Sequence, residues 1–246
     1  VTPGTPPPDA APEAAPVSVR TMTRRDLRAV AALHRTHLPV GFFPRLGERF
    51  LRAYHRSYLD GPHAVALVAE ADGTTVGFVV GSTRVHEHGA WTVRNRGLRL
   101  ALAGGTALLL RPPELWTFLT TRAGRYVRGI ARRLRPRTTP TGADASTAST
   151  ATPTSTTADT STAAPASPAV LVHVAVDDGA RGLGLGAALV EAFVLACGAA
   201  GAVEVQLVTD ADSPAVGFYE RLGWTSAGAR PAADGRAVVE FRHPAG

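Results

Sequence analysis

The chain has 246 residues and a formal net charge of +6, and all 26 basic residues are arginine. That length holds one ordinary domain with extensions, and 45% hydrophobic residues allow a sizeable core. A single cysteine, Cys197, excludes an internal disulfide and points to a reducing, cytoplasmic setting.

Residues 1–16 are rich in Pro and Ala and lack the basic and apolar regions of a secretion signal, so a disordered leader is expected. Residues 17–84 read β-α-α-β-β. VSVRTM (17–22) alternates as a strand, and Thr23 and Asp26 have capping-box-like spacing ahead of a helix carrying Leu27, Val30 and Ala31. Pro39 ends that helix. A second helix follows Pro44, with Phe50, Leu51, Tyr54 and Tyr58 on one stripe, and stops at Gly61-Pro62. VALVAEADGTTVGFVVGS then gives two strands around an Asp-Gly turn. Glu87, flanked by His86 and His88, is expected to close the last strand of this half or to stand in a solvated loop. Glu70, at a strand end, reads as structural.

Residues 85–137 form an Arg- and Leu-rich segment with helical periodicity. The run LALAGGTALLL (100–110) falls short of the roughly 20 apolar residues of a bilayer span. Residues 84–137 hold twelve arginines against two acids, Glu87 and Glu114, so the basic character of the chain is local. In RAGRYVRGIARRLRPR, Tyr126, Val127, Ile130 and Leu134 share one face, and Arg125, Arg128, Arg132 and Arg135 the other. Three readings fit: a solvated helix over the domain, a weak membrane-surface or anion contact through 94–137, or a nucleic-acid contact, for which no recognised motif is present. Residues 138–168 are nearly all Thr, Ala, Ser and Pro and are expected to form a disordered linker.

Residues 169–246 read β-α-β-α-β-β. AVLVHVAV (169–176) is an apolar strand, and VEVQLV (203–208) sets Val203, Val205 and Leu207 on one side. Ser213-Pro214 opens a helix that Gly223 closes, and two strands joined at Asp234-Gly235 finish the chain. The two folded pieces are expected to be one mixed αβ domain, interrupted by residues 85–168.

Between the strand and helix of this second half lies GARGLGLGAAL (179–189). Glycines turning into a helix start expose backbone N–H groups at the positive helix end, which suits a pyrophosphate. A tight turn without a ligand is the plain alternative. A dinucleotide-type fingerprint at Gly182, Gly184 and Ala187, with Asp210 as the ribose acid, is another. Against that, Asp177 and Asp178 lengthen the turn, and no second half of a doubly wound sheet is present.

Two blocks favour a third reading. Arg181-Gly182-Leu183-Gly184-Leu185-Gly186 after an apolar strand resembles the first motif of the GNAT family of acetyl-CoA-dependent N-acetyltransferases. AVGFYERLGW, about thirty residues later, resembles the family's second block through Ala215, Phe218, Tyr219, Gly223 and Trp224. The resemblance covers both folded pieces and implies a mixed α+β fold, with a central mixed sheet whose parallel strand pair splays apart. It implies that acetyl-CoA sits with its pyrophosphate on residues 181–187 and its arm between strands 170–176 and 203–208. Backbone N–H groups of Val174, Ala175 and Val176 would hold the thioester carbonyl, and Tyr219 would protonate the leaving thiolate, a core aromatic on an amphipathic helix being its plain alternative. Where the family often has Asn, this chain has Asp212, which accepts but cannot donate as an amide does.

An amine acceptor needs a base, and His173 is the candidate. Strand alternation puts it on the face of Leu171 and Ala175, for which a plain packed face is the alternative reading. Metal ligation is not expected: the His86-Glu87-His88 run has no partner cluster. Cys197 reads as a buried thiol. The expected acceptor is a small-molecule primary amine, with the arginines of the insert hinting at an anionic one such as an amino sugar or nucleotide-sugar. Acetylation of a protein N-terminus or side-chain amine and a non-catalytic acyl-CoA-binding role are the alternatives.

Overall fold

A computed structural model of the chain describes residues 17–109, 168–232 and 235–246. The expected leader, the linker over 138–167 and the amphipathic stretch with Arg125, Arg128 and Arg132 lie outside the described residues.

The elements follow the predicted order. They are β1 (Val17–Thr21), α1 (Leu27–His37), α2 (Gly47–Asp60), β2 (Ala64–Ala71), β3 (Thr74–Ser82) and α3 (Val85–Leu109). After the insert come β4 (Ala169–Val176), α4 (Leu185–Ala199), β5 (Glu204–Asp210), α5 (Ala215–Arg221), β6 (Thr225–Pro231) and β7 (Ala237–Pro244). The β2–β3 turn is left-handed at both Asp72 (φ 52°) and Gly73 (φ 70°), the geometry that an Asp-Gly pair favours.

The seven strands form one sheet in the order β1-β2-β3-β4-β5-β7-β6. Every neighbouring pair is antiparallel except β4 and β5, which run parallel. This mixed order overturns the dinucleotide-type reading, which needs a doubly wound parallel sheet. Asp210 there is ion-paired to Arg236 at 2.7 Å.

Each face of the sheet buries its own apolar layer. On one side α4 lays Leu189, Phe193 and Cys197 against Val79, Leu171 and Val205. On the other, α1 and α2 set Leu27, Val30 and Tyr58 against Val68, Phe78 and Val80. Side chains of this kind each contribute about 1.5–3 kcal/mol when fully buried. Gly81 shows how closely α4 approaches: a Cβ there would stand 2.3 Å from the Val170 carbonyl oxygen and 2.4 Å from the Phe193 ring.

Asp26 ties the helix layer to the sheet. It begins α1 without capping it. Its carboxylate accepts instead from the Thr23 N–H (2.7 Å) and hydroxyl (2.8 Å), from Thr75 (3.0 Å) and from both terminal nitrogens of Arg20 (2.9 Å each). Hydrogen bonding to Arg20, against the cost of burial, holds this carboxyl well below the usual carboxylate range. Glu70 shares Arg20 at 2.6 Å, in keeping with a structural role.

Three local expectations change. β3 ends at Ser82, and Glu87 lies in the first turn of α3 rather than on a strand. His88 is buried there, its ring centre 4.8 Å from that of Tyr58 and tilted against it, with Nδ1 3.2 Å from the Pro62 carbonyl. Val203 precedes β5 and is 69% exposed, so it does not share the buried side of Val205 and Leu207. The third change concerns His173. β3 pairs Val80 with His173 but Gly81 with Leu171, so Val172 is an extra residue, a β-bulge. The bulge reverses the alternation. Leu171 faces α4, whereas His173 faces α1 and α2 together with Ala175.

Candidate active site

The bulge also marks where the sheet opens. β4 and β5 pair only at Ala169–Val205 and Val170–Gln206. Beyond Val172 the two strands run on without pairing, and β4 carries Val174, Ala175 and Val176 past the divergence. Val174 and Val176 are half-buried, and Ala175 is buried on the α1–α2 side.

The glycine loop begins where β4 ends. The Asp177 N–H donates to the Val76 carbonyl (2.8 Å), and Asp177 Oδ1 accepts from the Gly179 N–H (3.0 Å). Asp178–Ala180 make one 3-10 turn, anchored by buried Ala180. Gly182 (φ 83°) and Gly184 (φ 74°) are then left-handed, which is strained for any residue bearing a Cβ. A Cβ at either position would meet no protein atom within 4 Å. Both are therefore required by backbone conformation, and both leave the main chain uncovered toward solvent. Gly184 is the residue ahead of α4. The N–H groups of Leu185, Gly186 and Ala187 have no carbonyl one turn behind them to bond, and they lie at the positive end of the helix. Arg181 and Leu183 are exposed beside them, and Arg181 pairs with Asp178 at 2.7 Å. The loop thus fits a diphosphate: bare amides, a helix start and a guanidinium at one entrance.

The second sequence block reaches the first in space. Gly186 lies under the Phe218 ring: a Cβ there would touch it at 3.4 Å. α5 therefore docks on the start of α4, with Ala215 half-buried at its first turn. Asp212 is exposed in the turn before it. One turn further, Tyr219 is 4% exposed, with Phe218, Trp224 and Phe241 rings 5.1–5.7 Å away. Burial pushes its hydroxyl well above the ordinary tyrosine value, so it stays protonated at neutral pH. Cys197 is buried, and burial pushes its thiol up to about 12; such a thiol is not a nucleophile at neutral pH.

His173 belongs to a group that the sequence reading did not assemble. Its Nε2 lies 3.2 Å from the Tyr54 hydroxyl, which lies 3.0 Å from the Tyr58 hydroxyl. Its ring packs edge-on to His34 at 4.5 Å, and His34 Nδ1 is 2.9 Å from His55 Nε2. His55 Nδ1 is buried without a hydrogen-bond partner. A bare lone pair is better tolerated there than an unsatisfied N–H, so His55 carries its proton on Nε2 and donates to His34. Burial pushes His34 down to about 4 and His173 to about 3, and His55 well below its ordinary value. All three imidazoles are therefore neutral at physiological pH. The signal for this group was a pair of helix stripes. His34 follows Leu27, Val30 and Ala31 at helical spacing, and His55 sits between Leu51 and Tyr58, so both histidines occupy inward positions. The link to His173 crosses 119 residues of sequence and cannot be read locally.

Residues 154–226 match the family model described as acetyltransferase (GNAT) domain. No curated protein matches the sequence. Among solved structures, the chain is similar to Ard1 from Thermoplasma volcanium: 16% identity, 93% of this chain and 97% of that one covered, TM-score 0.50. It is also similar to an aminoglycoside 6'-N-acetyltransferase complexed with coenzyme A: 11% identity, 93% and 97% coverage, TM-score 0.52. A third structure, SsHAT, shares 20% identity over 94% of this chain and 98% of its own, with a TM-score of 0.52. These likenesses carry the fold, and the family match covers the glycine loop and the α5 block together.

Proposed function

We propose that the chain, whose residues 154–226 match the GNAT acetyltransferase domain model, uses acetyl-CoA to acetylate the primary amine of a small molecule by direct attack on the thioester. The observation that carries this reading is the parallel pair that parts after two residue pairs, immediately beside the uncovered glycine loop. In it, the amides of 182–187 and Arg181 hold the diphosphate, and Val174–Val176 supply N–H groups to the thioester oxygen as charge develops there.

The amine nitrogen forms a bond to the carbonyl carbon, the carbon–sulfur bond breaks, and the coenzyme leaves as a thiolate. Tyr219 donates the proton that the thiolate takes up; its raised pKa supports this role because the hydroxyl is protonated until needed. His173 is the proposed proton acceptor on the amine side. Burial makes it a weak base, so it takes the proton only as the nitrogen–carbon bond forms and the amine turns acidic, while the Tyr54 hydroxyl at 3.2 Å holds its ring in place. The α1–α2 connection brings the Phe43 ring to 4.9 Å from Tyr54. Aromatic walls on that side support a compact acceptor over an extended peptide.

Thiol release from acetyl-CoA in the presence of an amine library tests the reading, with amino sugars, nucleotide-sugars and peptide N-termini as separate arms. Turnover with peptides alone would replace the small-molecule acceptor by a protein one. No turnover with any amine, together with no thermal shift on acetyl-CoA, would remove the reading. A ligand at 100 times its Kd stabilises by about 2.7 kcal/mol. Replacing Tyr219 by Phe is expected to lower kcat about 100-fold while leaving acetyl-CoA affinity unchanged.

A further inference from the structure

α3 lies along α2 on the outer side of the helix layer. Its His88 meets Gly61 at the end of α2, and its Gly104 faces Phe50 and Leu46 at the beginning. α1 and α2 bury Val30, His34, Leu51 and His55 toward the sheet. Their opposite faces, with α3, line a groove of about 360 Å³ that carries eight arginines. One acid answers three of them: Asp60 pairs with Arg24 at 3.3 Å, with Arg56 at 3.0 Å and with Arg96. Arg25, Arg28, Arg49, Arg52 and Arg99 form no ion pair among the described residues. All five are exposed. Guanidinium groups gathered in this way repel one another, and together they present a positive field that attracts a partner of opposite charge.

The chemistry beside the groove selects the partner. Leu102 lies three residues after Arg99 and four after Leu98 on α3, so it neighbours each of them on the helix surface, outside the groove lining itself. Leu98 is 75% exposed and Leu102 is 62% exposed. Among the described residues no aromatic ring lines the groove; its apolar members are Leu27, Ala53 and Leu100. Bases of a nucleic acid would find no ring to stack on, and they have no use for protruding leucines. Lipid headgroups and the acyl chains beneath them use both features. No described helix is long and apolar enough to cross a membrane, so the contact is with the surface only.

We propose that the α1–α2–α3 groove docks the protein on an anionic lipid surface, with arginines on headgroup phosphates and Leu98 and Leu102 inserted at the acyl boundary. Arginine suits this because its planar fork binds phosphate oxygens in pairs. The face is separate from the glycine loop and from His173, so the proposal stands apart from the acyl-transfer reading.

Co-sedimentation of the full chain with vesicles tests it. Binding is expected to phosphatidylcholine vesicles containing phosphatidylglycerol and not to phosphatidylcholine alone, and to weaken with salt. The variant R25Q/R28Q/R52Q/R99Q is expected to lose about fivefold in affinity per arginine removed. L98S/L102S is expected to lose roughly tenfold while keeping the salt dependence. Unchanged circular dichroism and an unchanged thermal midpoint show that both variants fold. Equal binding to neutral vesicles, or full retention by the arginine variant, would overturn the proposal. So would tighter binding to duplex DNA than to anionic vesicles that is indifferent to L98S/L102S, which would assign the groove to nucleic acid instead.

Discussion

On one face of the sheet, α4 packs Leu189, Phe193 and Cys197 into a layer that is apolar apart from ring edges. On the other, three neutral imidazoles and two tyrosine hydroxyls thread the same depth of core. The apolar face is held by shape. The polar face is held by hydrogen bonds that hold only while the imidazoles stay uncharged, so the two should fail under different stresses, volume loss on one side and acid on the other.

Removing volume on the apolar face should have the largest effect. Phe193→Ala is expected to cost about 3–5 kcal/mol in urea denaturation. A cost near 1 kcal/mol would mean that the layer collapses around the gap and is not the rigid face described here.

Acid should find the other face first. His34 and His173 have folded pKa values of about 4 and about 3, below the unfolded value near 6.5. Between those limits the unfolded chain binds more protons, so stability is complete above about pH 6.5 and falls as pH is lowered. Each imidazole should contribute a slope of about 1.4 kcal/mol per pH unit. Thermal midpoints of His173→Phe between pH 6.5 and 4.5 should fall less steeply than those of the parent by one imidazole's share, and an unchanged slope would refute the buried neutral assignment.

Asp26 sharpens the contrast at still lower pH. Its folded pKa is depressed, so its contribution is present above the unfolded value near 4 and is lost as pH falls below it. Asp26→Asn is expected to cost roughly 2 kcal/mol at neutral pH and to remove that acid-dependent loss.

The smallest effect on stability is expected at the loop. Arg181→Gln breaks an exposed pair and should change stability by less than about 0.5 kcal/mol. The same change should raise the KM for acetyl-CoA several-fold, since it removes one cation from the diphosphate entrance. A change in kcat alone would move Arg181 out of that role.

The part of this molecule legible in its sequence was the part written in consecutive residues. Gly182 and Gly184 announce a left-handed turn into a helix, and Phe218 and Tyr219 fall in a block that packs back on it. Asp72-Gly73 announced the hairpin. The helix of the insert was visible as far as α3, but its packing along α2 was not, because its mean pattern of polar and apolar residues favours no single face. His173 is expected on the face of both Leu171 and Ala175 but shares only that of Ala175, because one extra residue at Val172 reverses the alternation between Leu171 and His173. Its partners were missed for a different reason: a histidine on an inward helical stripe looks like an ordinary core residue until tertiary contact brings three of them together.

The short pairing between β4 and β5 has a mechanical consequence. It leaves the sheet as two rafts, β1–β4 and β5–β7–β6, stitched at Ala169–Val205 and Val170–Gln206. Amide protons in the two rafts should exchange with solvent as separate cooperative units, and a molecule lodged across the seam should fuse them into one.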